Sequence, residues 1–156
     1  MFSDATTQLV ERIADALLDS GRTIAAAESL TCGRLTHALG AGPDTSEWLR
    51  GGATVYQTGA KHEVLGVSPG PVVTAKCAEE LAAGAARVFG ADVAVATTGV
   101  GGPGPEEGEP QGTVFIGWCV DGATGSERHR FDGDPVEVLE QATDAALAAV
   151  VRVLHD

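Results

Sequence analysis

This chain is short of aromatic residues, of lysine and of cysteine, and each shortage closes off a class of protein. Phe, Trp and Tyr make up 4% of its 156 residues, while alanine and glycine abound; small residues favour tight helix packing over large aromatic interfaces. Lysine occurs twice against eight arginines, and the formal net charge is −12. A broad nucleic-acid surface is excluded on that ground, because phosphate backbones demand a basic patch. The three cysteines, Cys32, Cys77 and Cys119, are odd in number and widely spaced, so neither a disulfide framework nor a paired metal knuckle can be read from them. No apolar run reaches membrane-spanning length, and Met1-Phe2-Ser3-Asp4 does not open a basic-then-apolar leader. The expectation is a reduced, cytoplasmic protein without a membrane partner, and an acidic, lysine-poor surface that fits a cytoplasm of high ionic strength.

What is present reads as one domain, residues 1–156, long enough to bury roughly 70% of the surface its unfolded form exposes. Leu9, Val10, Ile13, Ala14, Leu17 and Leu18 share a helical face between a Ser3 or Asp4 cap and Gly21. Thr23 to Ala27 reads as a short buried strand, and Leu35, Ala38 and Leu39 continue a helix beyond Gly33. Ala53 to Tyr56 reads as a strand feeding a short helix that runs to Leu65; Thr74 caps the next helix, which Gly90 ends. Strands are expected over Asp92–Ala96, Thr113–Val120 and Ser126–Phe131, the last two joined at Asp121-Gly122. Asp134-Pro135-Val136-Glu137 opens a final helix with an N-cap, a first-turn proline and a capping-box glutamate. Helices alternating with buried strands predict an α/β domain, and the hairpin makes its sheet mixed.

Two polar clusters carry candidate chemistry. Ser29, in Ala27-Glu28-Ser29-Leu30-Thr31-Cys32-Gly33, lies where a strand gives way to a helix. It is either a helix cap or a nucleophile beside unpaired N–H groups that can hold an oxyanion; Thr31 is an alternative cap. Tyr56 is the only tyrosine, and Lys61, one of the two lysines, follows five residues later. A lysine that is desolvated can act as the base a serine hydroxyl needs. His37, His62, His129 and His155 are rival bases, and Cys32 is a rival nucleophile. Gly99, Gly101 and Gly104 formally meet G-x-G-x-x-G, but Pro103, Pro105 and the acidic residues after them do not open the required helix. The loop is read instead as a backbone wall for a small ligand.

Taken together, the serine cluster, Gly51-Gly52-Ala53-Thr54-Val55-Tyr56 with Ala60-Lys61, Leu65-Gly66-Val67, Thr98-Gly99-Val100-Gly101-Gly102-Pro103-Gly104, Gly112-Thr113-Val114 and Phe131-Asp132-Gly133-Asp134 resemble the CinA C-terminal domain family. The resemblance implies a three-layer α/β/α sandwich with a mixed sheet. It also implies the activity of nicotinamide-nucleotide amidohydrolases (NMN deamidases), which convert nicotinamide mononucleotide and water into nicotinate mononucleotide and ammonia in NAD salvage. By motif position it makes Ser29, Lys61 and Tyr56 catalytic and places Glu28, Thr31, Gly33, Thr98, Gly99 and Gly102 around the substrate. No metal and no cofactor are implied; the partner is a small pyridine mononucleotide, and a homo-oligomer is compatible. Larger members carry a further N-terminal domain, so the likeness is to the stand-alone form. Three departures stand out. Cys32 replaces a glycine and is expected to crowd the pocket, Thr58 replaces an asparagine, and Pro135 and Leu139 stand where arginines are common. Arg34, Arg128 or Arg130 would then have to hold a substrate phosphate.

The charge generates a test. Ions screen the self-repulsion of a −12 chain, the Debye length shrinking from about 10 Å at 0.1 M to about 3 Å at 1 M. Kosmotropic anions also strengthen apolar burial. Tm is expected to rise through a KCl series, with sulfate exceeding chloride at equal ionic strength if burial dominates; a flat or falling trend would give the acidic surface another origin.

Overall fold

A computed structural model describes residues 1–155. The helices are α1 (Asp4–Ser20), α2 (Arg34–Gly40), α3 (Thr45–Trp48), α4 (Thr58–Leu65), α5 (Ala75–Phe89) and α6 (Pro135–His155). The strands are β1 (Ile24–Glu28), β2 (Leu49–Thr54), β3 (Val93–Gly99), β4 (Thr113–Val120) and β5 (Ala123–Arg130). They form one sheet in the order β2-β1-β3-β4-β5, parallel across β2, β1 and β3 and antiparallel across β3, β4 and β5. This is the mixed α/β domain expected.

Local signals set most boundaries. Ser3 caps α1 by accepting from the Thr6 N–H at 3.1 Å, and Gly21 ends it in the left-handed region at φ 68°. Thr74 caps α5 through the Cys77 N–H. Asp134 and Glu137 exchange side-chain-to-backbone bonds of 2.9 and 3.1 Å, the reciprocal box that starts α6. Two readings shift. β2 begins at Leu49 and stops at Thr54, before Val55 and Tyr56, because the Gly51-Gly52 pair disguises a strand as a turn. β5 begins at Ala123, directly after the two-residue turn. The single turn α3, too short to show a period, was not expected; it buries Trp48, whose Nε1 donates to the Pro43 carbonyl at 2.8 Å.

The sheet has unlike faces. Ile24, Ala26, Val93, Val95, Val114 and Ile116 meet α1 and α6 in a core of long aliphatic side chains. Ala25, Ala27, Ala94, Ala96 and Cys119 line the opposite face and meet α5. Small residues there let α5 lie close: a Cβ on Gly117 would run into the Ala78 carbonyl, and one on Gly84 into the Leu65 carbonyl at the end of α4. Gly84 thus fixes the distance of α4 from α5, and α4 carries Lys61.

Gly84→Ala isolates that contact. In a free helix the change stabilises by about 1 kcal/mol, whereas overpacking costs about 1–3 kcal/mol. A fall in Tm is expected as α4 is displaced; a rise in Tm would show that α4 yields freely.

Candidate active site

The chain leaves β1 for β2 on one side and then crosses to β3 on the other, so the order of strand connection reverses between the parallel neighbours β1 and β3. A crevice opens at the carboxyl ends of the strands at such a point, and small ligands bind there. A cavity of about 370 Å³ occupies it, and its lining includes Ser29, Tyr56, Lys61, Thr98, Gly99 and Gly102. Six of the nine residues singled out from the sequence therefore meet around one space.

Glu28, Thr31 and Gly33 stand outside that lining, and the reason is structural. Glu28 is fully buried, and its carboxylate accepts from the N–H groups of Gly33, Leu35 and Thr36 at 3.1, 2.9 and 2.8 Å and from the Thr36 hydroxyl at 2.6 Å. It caps α2 from behind, which neither Ser29 nor Thr31 does. Thr31 pairs its hydroxyl with that of Thr97 at 2.9 Å, and Thr97 also accepts from the Ser29 N–H at 3.4 Å. Gly33 spends its N–H on Glu28 and Cys32 its own on the Ser29 carbonyl. The Leu30 and Thr31 N–H groups carry no hydrogen bond among the described residues, and Leu30 lines the cavity.

Ser29 is 8% exposed, and its hydroxyl makes no hydrogen bond among the described residues, leaving it free to face the cavity. Lys61, inside α4, is 2% exposed. Its Nζ donates to the backbone carbonyl of Tyr56 at 2.8 Å. Tyr56 thus meets Lys61 through its backbone and not its phenol, and the Tyr56 side chain lies exposed at the cavity mouth. Burial holds the Lys61 ammonium below the ordinary lysine value, against the opposing pull of Cys77, Glu106 and Glu107. Ser29 and Lys61 are not hydrogen-bonded to each other here.

The rivals lie elsewhere. Cys32 is exposed, at φ 52°, and does not crowd the cavity. Cys77 sits beneath Lys61, where burial pushes its thiol up to about 11 despite Lys61 and Thr98, so it stays protonated at neutral pH. His37 packs edge-on to Phe2, His62 meets the Val67 carbonyl, and His129 stacks on Phe131. Among the described residues no group of three or more His, Cys, Asp or Glu side chains is placed to hold a metal ion. No helix there is long and apolar enough to cross a membrane. The three arginines expected to substitute for a phosphate clamp are also absent from the lining. Glu106 and Glu107 are present instead, together with Gln57, Thr58, Val72 and Val73. The glutamates were visible in the sequence only as an acidic run.

The fold is a mixed α/β sandwich with a polar crevice where the order of strand connection reverses. The chain belongs to the CinA C-terminal domain family, which matches residues 6–154. It is 40% identical to a CinA-like protein of Mycobacterium sp. strain JLS, over all of this chain and 38% of that protein; it thus spans well under half the length of such relatives. Solved CinA superfamily structures match almost end to end. The protein from Klebsiella pneumoniae is 36% identical, with a TM-score of 0.92, covering 96% of this chain and 98% of that one. A competence/damage inducible protein from Agrobacterium tumefaciens is 27% identical, with a TM-score of 0.93, covering 100% and 99%.

Lysine burial has a measurable sign. Below its folded pKa, Lys61 is protonated in both states, and the fold bears a desolvated ammonium. Between that pKa and the ordinary 10.5, the unfolded chain keeps a proton that the folded chain has released, so stability rises with pH across this window. Lys61→Met is expected to raise Tm at neutral pH, with the gap to the unsubstituted chain narrowing towards pH 10.5; a gap independent of pH would contradict the lowered pKa.

Proposed function

We propose that the chain hydrolyses the carboxamide of a nicotinamide ribosyl compound, the family reaction being nicotinamide mononucleotide plus water to nicotinate mononucleotide plus ammonia. The observation that carries this reading is the pairing of an unbonded serine hydroxyl and a desolvated lysine on one cavity. A lowered pKa leaves more of Lys61 as the free amine, which is what a base must be.

Lys61 Nζ takes the Ser29 proton as Ser29 Oγ bonds to the amide carbon. The Leu30 and Thr31 N–H groups, left free by the turn, stabilise the resulting oxyanion. The carbon–nitrogen bond breaks, and the proton passes from Lys61 to the departing nitrogen, giving ammonia and a seryl ester. Water then adds to that ester, Lys61 again holding the proton, and the acid leaves as Ser29 Oγ is reprotonated. Tyr56 orients Lys61 through its carbonyl, while its ring and phenol reach the substrate. No metal enters these steps.

Ammonia release from nicotinamide mononucleotide or its riboside is the assay. Ser29→Ala is expected to lower turnover by about 10³-fold or more with Tm nearly unchanged, since Glu28 caps α2. Cys32→Ala is expected to retain turnover. Equal loss in both variants, or wild-type turnover in Ser29→Ala, would overturn the serine mechanism. Prolonged EDTA treatment should leave the rate intact; activity lost to EDTA and restored by zinc or magnesium would overturn the metal-free route.

A further inference from the structure

The charged side chains lining the cavity are Lys61, Glu106 and Glu107. Lys61 lies at the buried end, engaged with the Tyr56 carbonyl. Glu107 braces the wall, its carboxylate accepting from the Val72 N–H at 3.0 and 3.1 Å and from the Val73 N–H at 2.9 Å. Glu106 is held by backbone bonds to Glu109 in both directions, while its side chain makes no hydrogen bond or ion pair among the described residues. The cavity therefore carries one free carboxylate, on Glu106, and a second on Glu107 that is bonded to the wall, with one buried amine opposed to them.

A phosphate dianion needs the reverse: arginine forks, a lysine or several free amides. None of the candidate arginines lines the cavity, although the Arg34 Nε is buried without a hydrogen-bond partner among the described residues. Arg34 lies over the Phe2 ring, 5.2 Å from its centroid; Arg128 pairs with Glu109 at 3.3 Å; the Arg130 Nε donates to the Gln111 carbonyl at 3.1 Å. Lys76 pairs with Glu80 outside the cavity. The element best suited to an anion is the start of α4, where Gln57 and Thr58 meet the cavity. A helix end carries about half a positive charge, too little to reverse two carboxylates. The exposed Tyr56 ring adds the opposite preference, because an electron-rich aromatic face attracts a cation. The net charge of −12 also draws cations towards the chain.

We infer that the preferred substrate is a cationic pyridinium carboxamide bearing no phosphate, with Glu106 and the Tyr56 ring as its recognition elements. This rests on the amide-hydrolase reading and narrows it. A phosphate of charge about −1.5 to −2 turns a pyridinium riboside from a net cation into a net anion. The nucleoside therefore enters with the cavity field and the nucleotide against it.

The test compares ammonia release by the purified full chain from nicotinamide riboside, nicotinamide mononucleotide and nicotinamide. At low salt, kcat/KM for the riboside is expected to exceed that for the mononucleotide by about tenfold or more. The ratio should shrink in about 1 M KCl, where the Debye length is about 3 Å. Glu106→Gln should narrow the ratio without moving Tm, since that side chain is exposed and unpaired. Tyr56→Ala should raise the riboside KM more than the KM of uncharged nicotinamide. Equal or better use of the mononucleotide overturns the proposal and leaves amide hydrolysis standing, as does better use of nicotinamide than of the riboside. A ratio unmoved by Glu106→Gln overturns the role of that carboxylate. No ammonia from any of the three overturns both the proposal and the reading beneath it.

Discussion

The carboxylate of Glu28 holds the site's geometry together. It ends β1, lies fully buried, and gathers three N–H groups and one hydroxyl from the residues that begin α2. Removing any donor would leave an under-satisfied polar group in the interior, which costs about 1–3 kcal/mol and more when a charge is involved. The same bonds turn the chain sharply after β1. Ser29 and Leu30 are thereby presented at the crevice between β1 and β3, and Ser29 is relieved of the capping duty its position would otherwise impose.

A second constraint comes from the far face of the sheet. Alanine at Ala25, Ala27, Ala94 and Ala96 and glycine at Gly117 let α5 settle against the strands. Gly84 then lets α4 settle against α5. Lys61 is buried by this stacking of thin layers, and its lowered pKa is a consequence of packing. Larger side chains on that face would lift α5, open a path for water to Lys61 and restore an ordinary, protonated lysine. Fold and chemistry are linked here by the alanine content of two strands.

Much of this was legible beforehand because the signals were local. Caps at Ser3, Thr74 and Asp134, left-handed stops at Gly21 and Gly90, and the Asp121-Gly122 turn each need only a few adjacent residues. The cluster of Ser29, Lys61, Tyr56, Thr98, Gly99 and Gly102 was legible through family likeness, since nothing local tells which distant loops meet. What escaped was non-local. Glu28 looked substrate-facing because its donors lie five to eight residues ahead, beyond a turn whose shape they themselves create. Cys32 looked obstructive because its positive φ, which points it outward, is not written in its neighbours. Glu106 and Glu107 were visible only as acidic residues that do not open a helix, because a loop's charges gain meaning only once the loop folds over a lysine.

The loop between β3 and β4 is pinned at its roots and closed again in its middle, where Glu106 and Glu109 exchange backbone bonds. Val100 and Thr113 are joined by the Val100 N–H, Gly112 bonds back to the Val100 carbonyl, and Phe131 bonds to Gly112. The stretch between these clasps carries the glutamates, while the serine turn and the buried lysine hang on separate elements. Inheritance can therefore act on the two parts at different tempos. A lineage can rewrite the charge of the cavity rim by substitutions in one clasped loop while the serine turn and the buried lysine stay as they are.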